Sequence, residues 1–578
     1  MSDSTTQTSI NPIATGDWLG RGLLVLIGLA FLLKLHLVFV LNVNWDEFHH
    51  LESVYSHLRG ELTSPLQTIQ VHFFTWLSHL PGDLVDQVIA ARLVMYGFAL
   101  SSAFLIYRIG RCFLDPAATL FALLCYLAFS YVVEHGTSFR ADPIATFFCL
   151  SSVYFLLRTR PAWFASLCAG LALAAAAMVT IKSVFYLPAV GFLLLLSSPN
   201  TEDRGRILVR IAVFAVSFAC GFAALYLLHR ASFGPVELRS PTGFAAQAAG
   251  KVIRLDTILP RWRFLGASAI ENTTIWALFC LGAASLVGRA WKGSPSERVA
   301  AVPMLIFLLP LASFLVYRNA FPYFYTFIMP LPMLACGALF AAAVRSPPSA
   351  LFRSPKPIAI GLTFVVAANL GQFYVAAAKP ALQLQRQTIA LVHRLFPNPV
   401  AYIDRCGMIS SYPKVGFFMS TWGMENYLAR GEHIFRDLVR RERPLFLIAN
   451  ISSLDPAVPP DQIRALGRYS LFDDDHAVLA SNYVHHWGAL YVAGKTLDFP
   501  TGDGVQDFEI LIPGTYTLEA EAPLTINGQT IAPSEALRLE PGKHRASASG
   551  QRRAILRWGE RLYQPTQPPV EGPIFTGF

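Results

Sequence analysis

Residues 42–61 read NVNWDEFHHLESVYSHLRGE and follow directly on a long apolar run. They hold two adjacent carboxylates, Asp46 and Glu47, and two adjacent histidines, His49 and His50. A carboxylate at a membrane surface can take the proton of an attacking hydroxyl. If 45–58 is helical, Asp46, His49 and His50 fall at i, i+3 and i+4 and share one face. That spacing suits a metal, and a divalent cation stays an option, but no standard zinc motif is present. Histidines that only form hydrogen bonds are the plainer reading. Asn44 can cap such a helix, with Asp46 and Glu47 complementing its dipole. That role does not exclude catalysis.

Further ionisable residues lie in other short polar stretches. EHGTSFRAD holds Glu134, His135, Arg140 and Asp142. MVTIKSVFY holds Lys182, and YRNAFPYFY holds Arg318 and Tyr323. A long stretch, 229–268, carries Arg230, Arg239, Lys251, Arg254, Arg261 and Arg263. Charges at the edge of hydrocarbon are costly unless paired or used. Cations there can stabilise a departing phosphate as its negative charge grows. Each has a plainer role too: Arg318 as an anchor that snorkels to headgroups, and Arg140 with Asp142 as a pair that serves only itself.

The elements that must position these residues are membrane spans. The 578-residue chain is 54% hydrophobic and 14% charged, with a net charge of +9, and its mean hydropathy is +0.44. That fits repeated spans and excludes an ordinary soluble protein. No basic tail or nucleic-acid motif appears, so the positive charge reads as cytoplasmic loops rather than as a nucleic-acid surface. With about 20 apolar residues per span, eleven candidates emerge, near 21–41, 84–107, 116–133, 143–157, 162–180, 184–197, 207–228, 269–288, 299–317, 322–344 and 357–378. The first is long enough to stay as a span rather than be cleaved as a signal peptide. With the N-terminus inside, Lys and Arg concentrate in the inner short loops, among them Arg108, Arg111, Arg158, Arg160, Arg204 and Arg206. The carboxylates and cations described above then share the outer surface, and so does the C-terminal region.

From about residue 380 the sequence becomes mixed. PVAYIDRCG, RPLFLIANI and HAVLASNYV read as strands, and MENYLARGEHIFRDLVRRE between them reads as one amphipathic helix. From about 500, short alternating runs punctuated by Pro-Gly and Asn-Gly suggest a β-rich appendage. Cys406 alone among the eight cysteines lies in this region, so the region closes no internal disulfide. An Asn-Thr-Thr sequon at Asn272 reads as chance. The expected organisation is a cytoplasmic tail (1–20), a polytopic α-helical transmembrane module (21–378), an extracytoplasmic α/β domain (379–498) and a small β-rich domain (499–578).

An outer carboxylate, several cations and apolar spans suit sugar transfer from a polyprenyl-phosphate donor. Asp46 or Glu47 would accept the proton. Arg140, Lys182, Arg318 and the basic 229–268 stretch, Arg261 included, would hold the phosphate. Spans such as 184–197 and 322–344 would line a groove for the lipid.

Four stretches also carry a family resemblance. NWDEFHHLESVYSHLRGE resembles the Asp-Glu loop of the GT-C superfamily of membrane glycosyltransferases. TSFRADPIATFF resembles its Arg-x-Asp stretch, VTIKSVFYLPAVGFLLLL its Thr-Lys-Gly stretch, and FPYFYTFIMPLPMLA its later aromatic-proline span. The order and spacing fit over about residues 20–345, within the protein O-mannosyltransferase-like branch that includes lipid A aminoarabinose transferases and Rgt-type lipopolysaccharide-core enzymes. The resemblance implies an inverting transferase in the inner (plasma) membrane, with a polyprenyl-phosphate-sugar donor and a glycan, lipid or protein acceptor. It puts the general base on Asp46, with Glu47 beside it, the donor phosphate on Lys182 and Arg140, and an orienting role on Asp142. Arg318, Tyr323 and Arg261 complete the candidate substrate-binding set. The usual His-Pro-Pro is absent, with His72 in QVHFFTWL there, and Ser183 stands where the family has Gly.

Two other readings stay open. A flippase or transporter of a lipid-linked sugar would also need spans and charges, but it would place the charges near the midplane and often show inverted repeats. No repeat is visible. A non-catalytic assembly protein whose β module binds glycan is the third.

Overall fold

The computed structural model describes residues 18–196, 204–233, 257–345, 356–379, 381–499, 504–550 and 552–576. Two compact units share the chain. The first takes residues 1–41, 62–72 and 91–379, and the second takes 42–61, 73–90 and 380–578.

The first unit is helical and is the membrane module. Seven helices among the described residues are long and apolar enough to cross a bilayer: Trp18–Val40, Leu84–Gly110, Ala162–Val179, Gly205–Ala231, Thr273–Lys292, Pro295–Leu315 and Lys356–Ala377. Pro116–Leu127, Ile181–Leu196 and Leu334–Arg345 are apolar but shorter. The expected count of eleven is therefore not confirmed. Its shortfall has visible causes. Pro330 and Pro332 interrupt 322–344, which forms helices only at Phe324–Ile328 and Leu334–Arg345. The 116–133 stretch breaks after Leu127 and restarts at Ser130. The Ala141–Arg158 helix carries Asp142 and Arg158 within its 18 residues.

Helices meet where residues are small. A Cβ on Gly170 would stand 2.0 Å from Ser217 Oγ, and one on Gly282 would stand 2.1 Å from the Ala335 carbonyl. Close backbone approach of this kind supplies dispersion contacts where lipid offers no hydrophobic drive. Apolar side chains such as Val25, Leu228 and Phe364 are about 70% exposed, as a lipid-facing surface requires. Two buried polar groups fix the segment that delivers Arg140. Lys34 donates to the carbonyl of Val132, within the Ser130–His135 helix. Asn272 accepts from the Ser130 amide at 2.8 Å and donates to Ser130 Oγ at 2.8 Å. Asn272 is fully buried, so its sequon is a structural amide.

The second unit holds twelve described strands: β1 (Tyr402–Ile403), β2 (Lys414–Val415), β3 (Phe446–Ile448), β4 (Tyr483–Trp487), β5 (Leu490–Asp498), β6 (Gly504–Ile510), β7 (Gly514–Glu519), β8 (Leu524–Ile526), β9 (Gln529–Ile531), β10 (Ala536–Leu539), β11 (Gly542–Ala548) and β12 (Arg553–Trp558). Eight form one sheet in the order β10-β7-β12-β5-β3-β1-β2, with β4 also on β5. β1 pairs parallel with β2 and β3, and the other pairings are antiparallel. Strands from either side of residue 499 thus share a sheet through the β5–β12 pair. The order β6-β11-β8-β9 makes a second sheet.

Two local expectations are corrected. HAVLASNYV is helical through Asn482, in Asp473–Asn482, and becomes strand β4 only at Tyr483. Three aspartates in its first turn complement the helix dipole. MENYLARGEHIFRDLVRRE forms two helices, Thr421–Arg430 and Phe435–Glu442, because Gly431 at φ 67° ends the first with a left-handed cap.

The stretch with the paired carboxylates belongs to this second unit. Gln385 is fully buried. Its Oε1 accepts from Val43 N at 3.0 Å and its Nε2 donates to the carbonyls of Val43 at 2.7 Å and Ile574 at 3.1 Å. Arg386 reaches Asp83 at 2.7 Å and Asp86 at 2.6 Å. The Gln385 contacts hold the entry to the helix Trp45–Leu58, and the Arg386 pairs hold the 83–86 segment, against the folded C-terminal part of the unit.

Candidate active site

The first unit brings four of the expected residues together. Lys182 sits in a short 3-10 helix, Ile181–Tyr186, whose start is capped by Thr180. Its ammonium lies 2.5 Å from Asp142 Oδ1. Arg140 Nε lies 3.6 Å from Asp142 Oδ2. Asp142 is in the first turn of Ala141–Arg158, where the helix dipole also favours a carboxylate. Tyr323 closes the group: its ring centroid is 3.5 Å from the Arg140 guanidinium carbon and 4.9 Å from Lys182 Nζ. All four side chains are buried. Both cations flank the one carboxylate, and the aromatic face adds cation–π contacts to them.

Arg261 and Arg318 form a neighbouring arrangement in the same unit. Arg261 Nε donates to the Arg318 carbonyl at 2.9 Å, and its guanidinium lies 4.5 Å from the Phe321 ring centroid. Both arginines are half-buried. Of the other cations in 229–268, Arg239, Lys251 and Arg254 lie outside the described residues.

An apolar cavity of about 200 Å³ adjoins the Lys182 turn. Ile181 and Ser183, on either side of Lys182 in the chain, line it together with Leu173, Leu187, Phe218 and Phe222. Leu187 and Val184, from the 184–197 stretch, line this cavity too. The 322–344 stretch does not line it: residues 322–338 are buried throughout and pack as core.

Asp46, Glu47, His49 and His50 lie in the second unit on Trp45–Leu58. Asn44 caps this helix: its Oδ1 accepts from Asp46 N at 3.0 Å, while Glu47 Oε2 accepts from Asn44 N at 2.9 Å. This is a capping box, and Glu47 is buried in it. Asp46 is half-buried. His49 stacks on Phe418 with centroids 4.0 Å apart. Among the described residues no group of three His, Cys, Asp or Glu side chains is arranged to hold a metal ion.

Sequence reasoning missed the partner of this helix, Arg405. Its guanidinium carbon lies 3.7 Å from the Trp45 ring centroid. Burial pulls its pKa below the usual arginine value, while the charges of Asp46 and Asp404 favour the cation. Arg405 immediately follows β1 and Asp404, and the rule that ligands meet α/β sheets at the carboxyl ends of parallel strands is the signal that would have found it.

No protein-family profile matches the chain, and no curated protein matches it. Solved structures with a related chain trace exist. One is the oligosaccharyltransferase AglB of Archaeoglobus fulgidus, in complex with an inhibitory peptide and a dolichol-phosphate, at 10% identity, TM-score 0.49, covering 90% of this chain and 77% of that one. A second is ArnT of Cupriavidus metallidurans bound to undecaprenyl phosphate, at 13% identity, TM-score 0.49, covering 77% and 94%. A third is the S. cerevisiae protein O-mannosyltransferase Pmt1–Pmt2 complex bound to its sugar donor, at 14% identity, TM-score 0.31, covering 41% and 38%. At these identities and TM-scores the likeness assigns neither a substrate nor a reaction, which rest on the chain's own residues.

Proposed function

We propose that the protein is an integral-membrane glycosyltransferase that moves a monosaccharide from a polyprenyl-phosphate-linked donor to an extracytoplasmic glycan, lipid or protein. The observation that carries this reading is the buried Arg140–Asp142–Lys182–Tyr323 group beside an apolar cavity in the membrane unit. A lipid phosphate needs both features: a desolvated cation for the headgroup and an apolar channel for the tail.

The reaction follows from that assignment. An acceptor hydroxyl oxygen attacks the anomeric carbon and a new C–O bond forms. The bond from that carbon to the phosphate oxygen breaks, and its electron pair leaves with the polyprenyl phosphate. Lys182 and Arg140 stabilise the charge that grows on this phosphate, with Asp142 orienting both. The proton of the hydroxyl passes to the Asp46 carboxylate. Attack opposite the leaving group inverts the sugar configuration. Arg318, Tyr323 and Arg261 bind the rest of the donor. The site would face the periplasm of an inner membrane, with the C-terminal domain on the same side.

Purified protein in lipid nanodiscs, offered a panel of polyprenyl-phosphate sugars with membrane-glycan extract, tests the reading. Asp46→Asn should lower transfer by about 10²–10⁴-fold, the usual contribution of a positioned base, with donor binding kept. Glu47→Gln, which can still close a capping box, should transfer at near the wild-type rate. Full activity in Asp46→Asn would remove Asp46 as base. Donor movement across the bilayer without transfer would replace the enzyme by a flippase.

A further inference from the structure

A cavity of about 370 Å³ lies wholly in the second unit, and the residues that line it are not those of the phosphate group. Its position is set by the sheet. Arg405 follows the carboxyl end of β1, and Ala449, Asn450, Ile451 and Ser452 follow that of β3. Trp45 and Phe575 form aromatic wall, their centroids 5.9 Å apart at an interplanar angle of 80°. Pro569 and Pro573 add further flat apolar surface.

We propose that this cavity is the acceptor site and that it takes an anionic sugar, a pyranose bearing a carboxylate or a phosphate, paired with Arg405. The assignment of an acceptor rests on the transferase reading above; the assignment of an anionic sugar rests on the cavity itself.

Three features support the anion. Arg405 stacks on Trp45, and its side chain makes no hydrogen bond and no ion pair among the described residues; its Nε is buried without a hydrogen-bond partner. A guanidinium stays charged and presents a planar fork that fits carboxylate or phosphate oxygens. The nearest acidic residue in sequence, Asp404, is already consumed. It is fully buried, and it accepts from Cys406 N at 3.1 Å, Gly407 N at 2.7 Å, Met408 N at 2.8 Å and Asn450 Nδ2 at 3.1 Å. Those donors spread its charge and fix the loop, while Asn450 Oδ1 takes the Arg405 amide at 2.9 Å. Arg405 is thus held by its backbone from below and left with its fork for a ligand.

Two features support a sugar. Aromatic and proline walls offer flat surface to the C–H face of a pyranose. Asn450 and Ser452 add polar side chains to the lining, the few placed polar groups that a small-ligand pocket uses for orientation. The cavity also adjoins the proposed base. Trp45 lines it, Asp46 is the next residue, and the Asp46 charge acts on Arg405.

The test uses the full chain in nanodiscs and saturation-transfer NMR with three probes: an oligouronate, the same oligosaccharide carboxyl-reduced, and a phosphorylated neutral oligosaccharide. The anionic probes should bind at least tenfold more tightly than the reduced one, and Arg405→Gln should abolish that difference. Binding of the uronate alone assigns a carboxylate, and binding of the phosphorylated probe alone assigns a phosphate. Trp45→Ala, which removes the wall and keeps the charge, should weaken all probes. Equal binding of charged and reduced probes to wild type, or unchanged preference in Arg405→Gln, would overturn the proposal. In the transfer assay Arg405→Gln should raise the acceptor KM at least tenfold with donor binding intact. Arg405-dependent binding without transfer from any donor would defeat the transferase reading and leave the anionic-sugar site standing. Transfer whose acceptor KM ignores Arg405 would do the reverse.

Discussion

Replacing Lys182 by methionine separates a cation that serves the donor from one that only neutralises Asp142. Lys182 is 9% exposed and Asp142 2% exposed, so their 2.5 Å contact is made away from bulk water. Removing one member of a buried pair costs about 3–5 kcal/mol, because the other charge is left behind. Here Arg140 stays 3.6 Å from the same carboxylate, which puts the expected loss near the lower end, about 3 kcal/mol. The effect on chemistry is separate. A preorganised charged donor at a developing anion is worth about 10²–10³-fold in rate, or about 2.7–4 kcal/mol. Lys182→Met alone mixes the two effects. The double variant Lys182→Met with Asp142→Asn removes both buried charges, and replacing a whole pair is often neutral for stability. It should therefore melt close to wild type in nanodiscs yet transfer about 10²-fold more slowly in single-turnover assays with labelled donor. Arg140 alone then carries the positive charge, fixed on the Tyr323 face. A double variant that regained the wild-type rate would show that Lys182 only balances Asp142, and the phosphate assignment would fall with it.

Other expected outcomes follow from the second unit. Gln385→Ala deletes the three contacts that tie Val43 and Ile574 to its helix, leaving buried backbone groups unpaired at about 1–3 kcal/mol each; hydrogen exchange of residues 42–48 should accelerate, and unchanged exchange would show that the anchor lies elsewhere. His486 has its pKa pushed down to about 4, first by burial and then by Arg557. Its ring nitrogens lie 3.0 Å from the Tyr563 carbonyl and 3.4 Å from Arg557 Nη1, which suits a neutral ring that donates to the first and accepts from the second. The unfolded chain binds the proton first, so the contribution of His486 to stability is present above about pH 6.5 and is lost as pH falls toward 4. Exchange protection of β4 and β12 measured over that range should decline in wild type and stay flatter in His486→Gln.

The helical, membrane-spanning character of the chain was legible because apolar composition over about 20 residues is a bulk property. What composition hides is interruption. Pro330 and Pro332 cut a stretch that is apolar throughout. The Asp473–Asn482 helix was read as a strand because His476 to Val484 is short and apolar, and such runs do not distinguish the two. Its start signal, three aspartates after Phe472, was present in the sequence. Asp475 in that turn is buried and accepts from Phe435 N at 2.9 Å and Ile434 N at 3.1 Å, so it serves a neighbouring helix as well as its own. A residue that works through a distant backbone leaves no local pattern.

The same distinction separates the site residues. Arg140 and Asp142 are two apart in sequence, so their pairing could be foreseen; that Lys182 joins them and that Tyr323 supplies the face beneath could be foreseen only from resemblance. Trp45 and Arg405 are brought together by the fold alone. Asp46 and Glu47 show the limit from the other side. Both looked equally fit for proton transfer, being the same chemistry one residue apart. On a helix, adjacent positions point about a third of a turn apart, and the capping geometry decides between them. Glu47 turns back to the Asn44 amide and is buried there, already holding a hydrogen bond that the helix start needs. Asp46 gives its backbone amide to Asn44 Oδ1. Protonating Glu47 would weaken the acceptor of the capping bond from the Asn44 amide. Capping geometry thus sets apart two carboxylates that residue type and charge leave alike.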